Sequence, residues 1–129
     1  MKHESYDIAI IGAGAAGLTM AAVSANLGHK VILFEKDKMG GDCLNTGCIP
    51  SKALLSASKD KHTFSESMKH VQQSIKTIEP HDSEKRFRNF GVTVVKEQAV
   101  FTSPQKISAG NKVYTAKRII IATGAYAFI

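Results

Sequence analysis

The chain has 129 residues, enough for one compact domain and too few for two ordinary ones. Its 43% apolar and 22% charged residues lie near globular averages and no repetitive tract is present, which excludes a globally disordered chain. The net charge is +6, yet the positive residues are spread along the chain, those from Lys59 to Arg118 included, and form no single block, so solvated faces and an anionic cofactor account for them better than a nucleic-acid surface does.

Tyr6 to Ile11 is a short apolar run of the kind buried on both faces of a parallel sheet. The longer stretch from Tyr6 to Ala25 raises a signal peptide or membrane span as an alternative. Against it, Asp7 interrupts the start and Gly12, Gly14 and Gly17 keep fixed offsets that a translocated helix does not need. The expectation is a cytoplasmic protein with no membrane partner, where a cysteine pair is more often catalytic than structural. Ala13 to Leu27 is rich in helix formers and Gly28 is placed to end that helix; Lys30 to Phe34 then reads as a second strand running into Glu35. Strand, turn, helix and strand make a βαβ unit.

Within it, Gly12-Ala13-Gly14-Ala15-Ala16-Gly17 is G-x-G-x-x-G, set after a strand and opening a helix. Gly12 suits the tight turn, Gly14 lets the backbone approach a pyrophosphate, and Gly17 lets helix and strand pack closely. Glu35 ends the second strand 18 residues beyond Gly17, where a carboxylate can accept hydrogen bonds from a ribose. These residues predict a dinucleotide site without choosing between NAD and FAD.

Next comes Gly40-Gly41-Asp42-Cys43-Leu44-Asn45-Thr46-Gly47-Cys48-Ile49-Pro50-Ser51-Lys52. On a regular helix, cysteines five apart have Cα atoms roughly 8 to 9 Å apart and face about 140° away from each other, beyond disulfide reach. A redox pair therefore requires a distorted segment, and Gly47 and Pro50 supply the means. A helix start beside the pair would ease its reduction by stabilising thiolate. The alternative of a metal site lacks ligands, because zinc normally takes four and His62, His70 and His81 stand in no ligand pattern; no metal is expected.

Phe64, Met68, Val71, Ile75 and Ile78 recur in steps of four and three, predicting one helix whose stripe packs into the core. Pro80 closes it, Asp82 or Ser83 caps a short helix through Phe90, and Gly91 follows. Val92–Lys96, Ala99–Thr102, Gln105–Ala109 and Lys112–Thr115 read as short strands, the last two joined at Gly110-Asn111. Lys117 to Ala122 reads as a separate apolar strand returning to the parallel sheet. The fold class expected is α/β, a Rossmann-like parallel sheet with an inserted small antiparallel sheet.

The Gly40–Lys52 segment closely resembles the flavoprotein disulfide reductases, the class I pyridine nucleotide-disulfide oxidoreductases that include dihydrolipoamide dehydrogenase, glutathione reductase and mercuric reductase. Their pattern G-G-x-C-x-N-x-G-C-x-P-x-K is matched at every defined position, and Ser51-Lys52 is most similar to the lipoamide and mercuric branches. Ile121-Ala122-Thr123-Gly124 is similar to the family's second FAD motif. Gln98-Ala99 resembles its adenine-side segment, with Gln98 where glycine is common.

The resemblance implies FAD as cofactor, held by Gly12, Gly14, Ala15, Ala16, Gly17, Glu35, Lys36, Gly41, Asp42, Lys52, Ala99, Ala122, Thr123 and Gly124. It implies NAD(P)H as co-substrate and a redox-active Cys43–Cys48 disulfide, with Cys48 toward the flavin and Cys43 exchanging with a small-molecule disulfide, a dithiol or mercuric ion. Asp42 stands where many relatives have Thr. Full-length members are homodimers that continue with NAD(P)H and dimerisation domains, so residues 1–129 are expected to be an incomplete FAD-binding domain. A non-catalytic FAD-binding module and an NAD-dependent oxidoreductase with incidental cysteines are the competing expectations.

Overall fold

In a computed structural model of the chain, the structure describes residues 3–129. Strand β1 (His3–Ile11) leads through the glycine turn into helix α1 (Ala15–Asn26), and Gly28, at φ 86°, turns the chain into β2 (Val31–Phe34). Helices α2 (Gly41–Asn45), α3 (Cys48–Lys59) and α4 (Phe64–Ile78) follow. A 3-10 turn over Glu79–Asp82 and a short α5 (Glu84–Asn89), capped by the Ser83 hydroxyl, lead to β3 (Thr93–Val95). The chain ends in β4 (Val100–Ser103), β5 (Lys106–Ala109) and β6 (Lys112–Ile121).

All six strands form one sheet in the order β3-β2-β1-β6-β5-β4, parallel from β3 to β6 and antiparallel from β6 to β4. This departs from the expected pair of strands at Lys112–Thr115 and Lys117–Ala122. A single β6 runs alongside β1 over its whole length, from His3↔Val113 to Ile11↔Ile121, while its first residues also pair with β5. The small antiparallel part is thus an extension of the parallel sheet and not a separate one. Lys117 interrupts the apolar pattern without interrupting the strand, because it points outward to an ion pair with Asp7 at 2.7 Å.

Each side of the sheet has its own core. Val31 and Leu33 join Ile10, Leu18, Ala21, Phe87 and Val94 on one side; Ile32 and Phe34 join Tyr6, Ala9, Ile107, Tyr114 and Ala116 on the other. Alternate residues of β2 therefore face opposite layers, which explains why that strand is continuously apolar. A second expectation fails here. Helix α4 has the predicted span, opened by a reciprocal Thr63–Glu66 capping box, but of its apolar stripe only Val71 is buried, and Phe64 is 79% exposed. No helix among the described residues is long and apolar enough to cross a membrane.

Candidate functional site

The carboxyl ends of β1, β2 and β6 meet at the glycine turn, where short backbone bonds lock them together. Gly12 N–H donates to Phe34 O, Ala122 N–H to Ile11 O and Gly40 N–H to Ala13 O, each at 2.8 Å. Gly12 sits at φ 106° with its Cα against the Ala122 carbonyl, so a side chain there has neither conformation nor room. Gly17 presses on the Gly12 carbonyl just as tightly.

Gly14 differs: the only atom within 4 Å of where its side chain would start is Gly41 Cα, at 3.8 Å. Its open side is the N-terminus of α1, which carries backbone N–H groups with no intrahelical partner. Gly41, at φ 58°, returns the contact, since a Cβ on it would stand 2.7 Å from Gly14 Cα.

Glu35 is half-buried and braces this turn. Its carboxylate accepts from Ala13 N–H at 2.8 Å through one oxygen and from Asp37 N–H at 2.9 Å through the other. Each oxygen keeps a lone pair for a hydroxyl donor.

Around these groups lies a cleft of about 710 Å³, within the size range of small-molecule sites, and it is open along one side. Gly12, Gly14, Glu35, Lys36, Gly41, Asp42, Ala99, Ala122, Thr123 and Gly124 all line it. Its size, the glycine backbone that leaves Gly14 approachable and the carboxylate at the end of β2 fit an elongated dinucleotide. Ala15 and Ala16 stand exposed in the first turn of α1, and Gly17 is buried beneath it.

The cysteine segment breaks where distortion was expected. α2 stops at Thr46, and Gly47 caps a new helix whose first residue is Cys48. Pro50 falls in the first turn of α3, where a missing N–H is harmless. Both cysteines are thiols in this structure, Cys43 half-buried and Cys48 exposed. They share a hydrogen bond, which together with burial and the negative charge of Cys48 and Asp82 pushes the Cys43 thiol up, while Lys52 pulls it the other way. Neither cysteine nor Lys52 lines the cleft.

Residues 6–129 match the pyridine nucleotide-disulphide oxidoreductase family. The chain belongs to this family.

Among family relatives, the chain is 33% identical to the chloroplastic dihydrolipoyl dehydrogenase 2 of Arabidopsis thaliana, over 99% of the chain and 26% of that protein. It is 31% identical to a mercuric reductase of Bacillus cereus, over 93% of the chain and 22% of that protein. The HOCl-induced flavoprotein disulfide reductase RclA of Escherichia coli, solved as a Cu(II) complex, superposes with a TM-score of 0.89 at 27% identity, over 98% of this chain and 30% of that one. The chain therefore spans less than a third of the relatives it matches.

The cleft of this pyridine nucleotide-disulphide oxidoreductase chain also takes residues that sequence reading missed. Asn45 and Thr46 come from inside the cysteine motif, and Asn45 Nδ2 donates to Gly41 O at 2.8 Å and to Met39 O at 3.2 Å, holding that loop in place. Gln72 and Ile75 of α4, Glu97, and Tyr126, whose hydroxyl lies 3.5 Å from Lys36 Nζ, carry no local motif. Asn45, as a fixed position of the cysteine pattern, and Gln98, in the segment similar to the family's adenine side, had a signal.

Proposed function

We propose that residues 1–129 form the FAD half-site of a dithiol–disulfide oxidoreductase, with Cys43 and Cys48 alternating between dithiol and disulfide. The observation that carries this reading is the apposition of Gly14, at the open start of α1, and Gly41, two residues before the first cysteine. A dinucleotide-sized cleft and a thiol pair thereby share one loop. The FAD-holding groups are the backbone from Gly12 through Ala15 and Ala16 to Gly17, Glu35 and Lys36, Gly41, and Ala99 with Ala122, Thr123 and Gly124, with the Asp42 carboxylate standing beside them; Lys52, outside the cleft, is read as facing the flavin end. When bound, FAD supplies two-electron transfer between a reduced pyridine nucleotide and the cysteine pair.

The chain's own chemistry is thiol–disulfide exchange. Cys43, once its proton has left, attacks one sulfur of a disulfide substrate, forming a mixed disulfide and releasing one substrate thiolate. Cys48 attacks the Cys43 sulfur, closing the Cys43–Cys48 disulfide and releasing the second thiolate. The hydride of NADH or NADPH and one solvent proton then restore the two thiols. Cys48 is the first residue of α3, and Cys43 keeps its proton to higher pH than an ordinary thiol.

The substrate is a small-molecule disulfide, a dithiol when the flow reverses, or mercuric ion, and the setting is the cytoplasm. Nicotinamide docking and acid–base help from a second subunit of a homodimer call for parts beyond this half-site, so residues 1–129 alone hold flavin without steady turnover.

The test is to load the chain with FAD and follow NADH or NADPH oxidation with lipoamide, glutathione disulfide or mercuric ion, alongside a thiol count. Bound flavin, two thiols that disappear together on mild oxidation, and negligible turnover are expected. Two thiols that persist under oxidant would remove the redox role, and steady turnover at several per second would show that these residues suffice.

A further inference from the structure

The cleft is lined by four carboxylates, Glu35, Asp37, Asp42 and Glu97, against only two lysines, Lys36 and Lys38, although the chain as a whole carries +6. For a cofactor whose middle is a diphosphate, that balance is adverse. Glu35 is occupied by the backbone N–H groups of Ala13 and Asp37.

Asp42 is not comparably occupied. Its exposed carboxylate receives only the Thr46 hydroxyl, at 3.4 Å, and among the described residues it makes no ion pair. It directly follows Gly41, whose Cα packs on Gly14, so it stands beside the open start of α1. A unit negative charge near a diphosphate is repelled by an amount that depends strongly on screening.

We propose that Asp42 is the affinity-limiting residue of the cleft: it repels the diphosphate it stands beside, so that FAD is held less tightly than the backbone contacts alone would hold it. This rests on the reading of the cleft as the FAD site. The glycine turn supplies the backbone contacts, and the Asp42 charge subtracts from the affinity they provide.

The experiment measures FAD dissociation constants by flavin fluorescence for the unchanged chain, Asp42→Asn and Asp42→Glu. Each is read near 0.01 M and near 1 M salt, where the Debye length falls from about 30 Å to about 3 Å. Circular dichroism on all three checks that they are equally folded. Asp42→Asn is expected to bind about fivefold more tightly at low salt, the change that roughly 1 kcal/mol of charge repulsion produces. Asp42→Glu should show no gain, and the advantage of the Asn variant should close at high salt. Equal or weaker binding by Asp42→Asn, or a gain that salt leaves untouched, would overturn the inference while leaving the cofactor reading standing. If no variant takes up flavin at either salt, the cofactor reading fails and this inference with it.

Discussion

Val31, Ile32 and Leu33 of β2 are fully buried and Phe34 is 1% exposed, whereas α3 and α4 together bury only Ala53, Ala57, Ser67 and Val71. The same two helices leave Leu54, Leu55, Phe64 and Met68 in solvent. One region of the molecule is thus enclosed on both sides, and the other is a pair of helices that pack mainly on each other. The difference separates two requirements. A dinucleotide turn has to be rigid before its ligand arrives, and here the sheet makes it so; the cysteine segment has to change its covalent state, and it sits on helices that touch the strands little.

The sharpest way to break this comparison is to disturb the turn at two glycines three residues apart. Gly17→Val drives a branched side chain into the Gly12 carbonyl and should abolish cooperative folding, seen as the loss of a urea transition. Gly14→Val meets open space, so the chain should keep its urea midpoint and lose retained flavin on gel filtration. If both variants unfold, Gly14 is a packing residue and not a contact surface.

A smaller effect is expected at Glu35. Glu35→Ala removes the acceptor for Ala13 N–H and Asp37 N–H as well as a ribose acceptor, and should weaken flavin binding by about 1.5 to 3 kcal/mol by calorimetry. An unchanged affinity would confine Glu35 to bracing the turn.

In the cysteine segment the readout is a rate. Because the hydrogen bond to Cys48 favours the protonated form of Cys43, Cys48→Ala should lower the Cys43 pKa and speed its alkylation at neutral pH. By the same sign, the reduced chain has from Cys43 a stabilisation present below the pKa of an ordinary thiol and lost as pH rises through the raised one. A slower Cys43 in the alanine variant would mean that burial governs its proton. Least of all should happen at Phe64. Phe64→Ser on the exposed end of α4 should change stability by within about 0.5 kcal/mol in urea titrations, and a larger loss would show that α4 is held more firmly than its exposure indicates.

The fold was legible where one local rule decides an element. The βαβ unit, the span of α4, the end of α1 at Gly28 and the Gly110-Asn111 hairpin each follow from a periodicity or a turn residue in a single window. The exposure of Phe64 and Met68 was not legible, since periodicity states which residues share a helix face and not whether anything covers it. The unbroken β6 was hidden by Lys117, whose partner Asp7 is 110 positions away.

The same limit shaped the candidate site. Gly12, Gly14, Glu35, Gly41 and the Ala122–Gly124 turn belong to compact motifs and do line one cleft, while Gln72 reaches it from α4, Glu97 from beyond β3 and Tyr126 from beyond β6 through tertiary convergence. Such convergence leaves no trace in any one stretch of sequence.

The neighbour relation between β1 and β6 also sets a schedule for synthesis. Ile11 pairs with Ile121, so β1 cannot complete its pairing until β6 has followed it from the ribosome. At roughly 5 to 20 residues per second, that leaves an apolar strand edge waiting for on the order of 5 to 20 seconds. Through that interval β2 can shield one edge of β1, and the other stays open to any extended segment that reaches it first, including β1 of a neighbouring nascent chain.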